Sequence, residues 1–176
     1  VVFLEHLGVY GLRGGVTGWG DRIHMQVDTE SVAKAIESGE TYKLGKANVV
    51  RGGSTATVVT WGAMVHVALQ AAEQLSAEGV EIEIIDLRTL APFDAETCAA
   101  SVARTGRLLV LQEAQYTGGF GHTVSSRIQE ACFWSLEAPP VVLGALDTPV
   151  PFAPTLEDHT IPTVDLLADH LRNLTA

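Results

Sequence analysis

At 176 residues, with 47% apolar and 18% charged side chains, the chain has the makeup of one globular domain, which excludes a disordered or fibrous protein. A formal charge of −10 makes nucleic acid a poor partner, and no apolar run is long enough to span a bilayer. The charge is uneven: residues 1–53 carry six basic and six acidic side chains, whereas 54–176 carry five against fifteen. The acidic part suits either a solvated surface or a basic partner.

Val1–Leu4 is a β-rich run, and because the chain opens inside it a preceding segment is expected. Gly11, Gly14, Gly15, Gly18 and Gly20 then erase any periodicity over a long loop, either functional or a connector between domains. Thr29 or Ser31 is expected to cap a short helix through Ile36, with Gly39 just past its end. Lys46–Arg51 reads as a strand and Gly52-Gly53 as its turn. Thr57–Trp61 is the next strand, followed by a helix from Ala63 with Val67, Ala71 and Leu75 on one stripe and Gly79 as its stop. Ile82, Ile84 and Ile85 form a strand that runs into Asp86-Leu87-Arg88. Pro92 and Asp94 open another helix, with Asp94 as its cap, Cys98 and Val102 turned inward and Gly106 at its end.

Leu108–Leu111 is a continuous apolar run, the pattern of a strand covered on both faces. It leads through Gly118, Gly119 and Gly121 into a helix whose stripe holds Val124, Ile128, Ala131 and Cys132. After a turn at Pro139-Pro140, Val141–Leu143 is the last strand. A proline-rich crossing without helix follows, and then a helix from Pro162 with Leu166, Leu167, His170 and Leu171 inward. Strands alternating with helices of ten or more residues call for right-handed crossovers and a three-layer α/β/α sandwich. Cys98 and Cys132 have neither zinc spacing nor a disulfide framework, so a reduced, cytoplasmic setting is expected.

Chemistry is sparse. No HExxH, CxxC, GxSxG or phosphate-loop pattern is present. Gly118, Gly119 and Gly121 could cradle an anion at a helix N-terminus, or let that helix pack closely and form an interface. Glu113, Tyr116 and His122 are expected near one another at the carboxyl ends of the strands. There a Glu113–His122 pair is either a candidate for acid–base work or a hydrogen-bonded interface pair. Arg88 could clamp an anion or satisfy Asp86 and a helix end. His66, His159 and His170 have no partners at ligand spacing.

Family resemblance says more than spacing. VVFLEHLGVYG, LGKANVVRGGSTATVVTWGAMVHVALQAAEQL, VEIEIIDLRTLAPFDAET, TGRLLVLQEAQYTGGFG and LEAPPVVLGALDTPVPFAPTLEDHTIP occur in an order that resembles the C-terminal half of the β subunit of thiamine-diphosphate-dependent 2-oxo acid dehydrogenases, the E1 component. The resemblance implies a transketolase C-terminal domain fold over residues 46–176, with a five-stranded, mostly parallel sheet and Lys46–Arg51 as its one antiparallel strand. Residues 1–45 would then be the end of a pyrimidine-binding domain and its connector. It also implies a hetero-oligomer with an E1 α-type subunit and a pyrimidine-domain portion, with thiamine diphosphate and Mg²⁺ held mainly by those partners. A lipoyl acyltransferase (E2), or another acyl carrier, would dock on this chain. On that basis Tyr116, Gly118, Gly119, Phe120 and Gly121 are expected at an interface, and Glu157, Asp158, Asp165 and Asp169 at a docking face for a basic partner domain.

The family's pyrimidine glutamate, substrate-facing histidine and potassium site map before Val1, so this chain alone is expected to be inactive. Two features depart from the pattern: His122-Thr123 stands where Ala-Glu is common, and Gly14–Glu40 is longer than the usual connector. Both leave room for a transketolase-like component that passes a two-carbon unit to a carrier, or for a non-catalytic assembly module. The TGGFG turn leans toward branched-chain or acetoin-type relatives.

Overall fold

The computed structural model describes residues 4, 6, 9, 29–39 and 43–176. In chain order the elements are α1 (Thr29–Glu37), β1 (Asn48–Arg51), β2 (Ala56–Thr60), α2 (Met64–Ser76), β3 (Ile82–Asp86), α3 (Ala95–Thr105) and β4 (Leu108–Gln115). There follow α4 (Gly121–Cys132), a 3-10 turn (Phe133–Ser135), β5 (Val141–Ala145), α5 (Pro154–Glu157) and α6 (Val164–Thr175). The sheet order is β1-β3-β2-β4-β5, with β1 antiparallel to β3 and the other pairs parallel.

Alternation of side chains along the strands builds two cores. Val58, Ile82, Ile84, Leu109 and Leu111 pack under α2 and α6, together with Leu75, Leu167 and Leu171. Val59, Ile85, Leu108 and Val110 pack under α3 and α4, together with Val102, Val124 and Ile128. The continuous apolar run in β4 is explained by this double cover, since burying each such side chain stabilises the fold by about 1.5–3 kcal/mol. The expected three-layer sandwich, five strands and antiparallel β1 are therefore present.

Two boundary signals show why α3 begins and ends where it does. Asp94 caps α3 by accepting the Thr97 N–H at 3.2 Å and the Thr97 hydroxyl at 2.9 Å, and it also receives the Ala47 N–H at 3.2 Å. Gly106 closes α3 in the left-handed region at φ 71°, and a Cβ there would come within 2.7 Å of the Glu137 side chain.

Several expectations need correction. Thr29 and Ser31 both lie inside α1, not at its cap. α6 starts at Val164, two residues after Pro162, with Thr163 as cap through the Leu166 N–H, and its inward stripe is Leu167, Ala168, Leu171 and Leu174; Leu166 is exposed. Ala131 is exposed on α4, while Gly121 and Ser125 face inward. The proline-rich crossing does contain a helix: Pro154 occupies the first turn of α5, where its missing N–H costs nothing. The strand expected at Val1–Leu4 lies outside the described residues except for Leu4, which is exposed and in no strand.

Candidate functional site

The carboxyl ends of β2, β3, β4 and β5 make one edge of the sheet, where the β4–α4 turn meets the loop after β5. β4 runs four residues past its apolar run, carrying Gln112 and Glu113 to this edge. Gln112 is completely buried. Its Oε1 accepts the Gly121 N–H at 2.6 Å, and its Nε2 donates to the Gln115 carbonyl at 2.9 Å. One amide thus satisfies a donor at the start of α4, which lacks a capping side chain of its own, and an acceptor at the end of β4.

The glycines of the turn make room for that amide. A Cβ on Gly119 would sit 2.5 Å from the Gln115 carbonyl oxygen and would overlap the Gln112 carboxamide. On Gly121 it would lie 2.8 Å from Gln112 Oε1, and on Gly144 of β5 it would come within 3.0 Å of Gln112 Nε2. The helix N-terminus is therefore filled from within. A phosphate seated at this turn would compete with Gln112 for the Gly121 N–H, so the turn is a poorer fit for the diphosphate of thiamine diphosphate than an open helix N-terminus. Among the described residues no group of three or more His, Cys, Asp or Glu could hold Mg²⁺.

Glu113 is half-buried, and its hydrogen-bonded partner is His6, 107 residues away in sequence. His6 also lies over Gly62, where a Cβ would come 3.3 Å from its Cδ2. The Glu113–His122 pair expected from the sequence is thus replaced by Glu113–His6. His122 instead packs edge-on against Tyr116, with ring centroids 4.6 Å apart and an interplanar angle of 88°. Tyr116 and His122 are exposed, and the Tyr116 N–H donates to the Ala145 carbonyl at 2.8 Å. Thr117 donates its N–H and its hydroxyl to the Asp147 carboxylate at 2.8 and 2.7 Å. Those two bonds, with a smaller contribution from the charge of His122, hold the Asp147 carboxyl below its usual range. Phe120 stacks edge-on against Phe93 at 6.3 Å, tying the turn to the loop before α3.

Among the described residues, Arg88 is engaged by Asp86 and by the backbone that leads into β1. Its backbone N–H bonds Asp86 at 2.9 Å while its guanidinium donates to the Lys46 carbonyl at 2.7 Å and the Ala47 carbonyl at 3.3 Å, so it ends at the start of β1 and not at a helix end. Burial raises the Asp86 carboxyl from its ordinary value, against the opposing pull of Arg88. His66 lies half-buried in the first turn of α2, where burial lowers its pKa. The four acids expected to dock a partner are divided. Glu157 ends α5 with Asp158 after it, Asp165 is exposed in the first turn of α6, and Asp169 is paired with Arg172 at 2.7 Å. Arg172 also binds Glu78 at 2.6 and 2.9 Å, so Asp169 belongs to a clamp between α6 and the turn after α2.

The carboxyl edge is therefore built of polar groups that bond one another, with exposed rings above them. Gln112, His6, Thr117 and Asp147 were not singled out as site residues in the sequence. A polar residue directly after an apolar run, followed by three closely spaced glycines, was the available signal for Gln112.

A family model described as transketolase, C-terminal domain, matches residues 45–167. The chain belongs to that family. The β subunit of the acetoin:2,6-dichlorophenolindophenol oxidoreductase of Cupriavidus necator is 39% identical over 168 residues, covering 96% of this chain and 44% of the relative. The pyruvate dehydrogenase E1 component β subunit of Bacillus subtilis is 39% identical over 153 residues, covering 87% and 42%. A solved structure titled as a split-gene transketolase, an inactive β4 tetramer, superposes with a TM-score of 0.64 at 26% identity, covering 76% of this chain and 43% of that one. This transketolase C-terminal domain chain thus spans less than half the length of these relatives.

Proposed function

We propose that the chain is the C-terminal part of a β-type subunit of a thiamine-diphosphate-dependent 2-oxo acid dehydrogenase, serving oxidative decarboxylation and acyl transfer as an assembly element. The observation that carries this is the 39% identity, over 96% and 87% of the chain, to β subunits of an acetoin oxidoreductase and a pyruvate dehydrogenase. On this reading residues 1–45 close a pyrimidine-binding domain and 46–176 form the C-terminal domain. The companions are an E1 α-type subunit and the pyrimidine-domain portion, which hold thiamine diphosphate and Mg²⁺; in this chain's own glycine turn Gln112 already holds the Gly121 N–H.

The carboxyl edge suits contact with protein. Tyr116 and His122 stand exposed, as do Leu146, Val150 and Phe152 in the loop that follows β5 and Leu156 on α5. Glu157 and Asp165 border that loop and favour a basic partner such as the binding domain of a lipoyl acyltransferase. Asp169 is left out of this set because Arg172 already neutralises it.

Reconstitution tests the proposal. The chain, completed by a pyrimidine-binding portion and mixed with an E1 α-type subunit, should release CO₂ from a 2-oxo acid and acylate a lipoyl domain. A complex that instead moves a two-carbon unit from a ketose phosphate would favour the transketolase reading, to which the 26% identical split-gene structure lends support. A stable complex with neither activity would leave the chain a pure assembly module.

A further inference from the structure

We infer that Gln112 is a positioning residue for partner assembly: its buried carboxamide sets the Tyr116–His122 turn in the one shape that a companion chain recognises. This deepens the assembly role proposed above and rests on it.

Three observations carry the inference. First, Gln112 is fully buried, yet both ends of its amide bond backbone groups on opposite sides of the turn, Gly121 N at 2.6 Å and Gln115 O at 2.9 Å. A side chain retained only for packing needs neither bond, and burying an amide without partners is costly. Second, three glycines, Gly119 of the turn, Gly121 of α4 and Gly144 of β5, leave just the space that this amide fills. Third, Tyr116, Thr117 and Gly118, which lie between the two bonded atoms, stand outward, while Phe120 anchors the turn to the core. Tyr116 is half exposed and packs on His122, Thr117 fastens to Asp147 of the neighbouring loop, and Phe120 reaches Phe93. The amide therefore staples the base of a loop whose tip is free to meet another protein. A neutral group suits this post, since it bonds a donor and an acceptor at once, which a carboxylate cannot do.

Two near-isosteric variants of the full chain separate this from simple core filling. Gln112→Met keeps the length and loses both hydrogen bonds; Gln112→Glu keeps the acceptor for Gly121 N and loses the donor to Gln115 O. The readouts are hydrogen-exchange protection of the Gly121 amide and affinity for an E1 α-type subunit, with far-UV circular dichroism to confirm that each variant folds. We expect Gln112→Met to lower Gly121 protection and subunit affinity each by at least tenfold. Gln112→Glu should keep the protection yet still lose several-fold in affinity, because the Gln115 carbonyl is repelled. Unchanged affinity in folded Gln112→Met would overturn the inference, whatever happens to Gly121. If the unsubstituted chain itself fails to bind the α-type subunit, the assembly role falls, and that result is separate from any difference among the variants.

Discussion

Two buried polar side chains face the α3–α4 layer from the strands on either side of β2, and they are used in opposite ways. Glu83 on β3 is a carboxylate satisfied by side chains: the Ser101 hydroxyl at 2.5 Å and Arg104 Nη2 at 2.6 and 2.5 Å. Ser101 also bonds Thr57, which bonds Thr105, so the whole group locks α3 onto β2 and β3. Gln112 on β4 is a neutral amide satisfied by backbone, and it shapes a loop. A charge held by side chains fixes two regular elements that already pack well. An amide held by backbone fixes a segment with no regular structure of its own. The first serves stability; the second serves what the edge presents to a partner.

The largest expected effect falls on the Glu83 side. Arg104→Ala removes the guanidinium from a carboxylate that is 7% exposed, and should destabilise the fold by about 3 kcal/mol, at the lower end for a broken buried pair because Ser101 still donates and Arg104 is itself half exposed. The urea midpoint measures it, and subunit affinity should follow stability alone.

On the Gln112 side, Gly119→Ala should cost about 2 kcal/mol, because the new Cβ overlaps the carboxamide and the Gln115 carbonyl. Here affinity should fall further than stability explains. In a double-mutant cycle with Gln112→Ala, part of the Gly119→Ala cost should disappear, since the truncated side chain vacates the space. Additive costs would contradict the close packing of the turn on Gln112.

Asp94 is an intermediate case, a carboxylate that bonds both backbone and side chains. Burial alone would raise its pKa, but the Thr97 N–H and hydroxyl, the Ala47 N–H and the Lys46 ammonium at 3.5 Å together hold it below the ordinary value. Asp94→Asn should cost about 1 kcal/mol near neutral pH, as the cap survives and the ionic share is lost. A depressed carboxyl contributes stability above its unfolded pKa of about 3.9, and loses it as pH falls through the lower folded value. The two proteins should therefore converge in stability in strong acid, and a gap that persists there would contradict the ionic origin.

The smallest effect belongs to Thr117→Val. Stability should hardly change, because Asp147 is on the surface, but the Asp147 carboxyl should return toward its usual pKa in an NMR titration. Cys98 offers a control for all these variants. Burial, with Asp94 adding to it, pushes its thiol up to about 12, so alkylation at neutral pH should report unfolding alone.

The contrast also marks how much was legible in the residues. The layers were readable because they rest on local rules: the apolar run Leu108–Leu111 announces a strand covered on both faces, and Asp94 and Gly106 bracket a helix by capping chemistry alone. Gly118, Gly119 and Gly121 announced a tight turn, but a glycine says only that something comes close, not what. The carboxamide that fills the space is three residues from one partner and nine from the other, and its bonds depend on a strand continuing past its apolar run. The Glu113–His6 bond was out of reach for another reason, since it joins groups 107 positions apart and Glu113 had a nearer histidine to suggest. Leu166 and Leu167 were equally apolar, and only the docking of α6 against α2 decides that Leu167 is buried and Leu166 exposed.

The most direct test of a carboxyl edge closed to phosphate and open to protein is a pyrophosphate titration of the chain, followed at the backbone amides of Gly118–His122 by NMR. Because Gln112 Oε1 already holds the Gly121 N–H, these signals should stay in place through millimolar pyrophosphate, while an E1 α-type subunit broadens or shifts them. Saturable movement of the Gly121 amide with pyrophosphate alone would contradict this assignment of the edge.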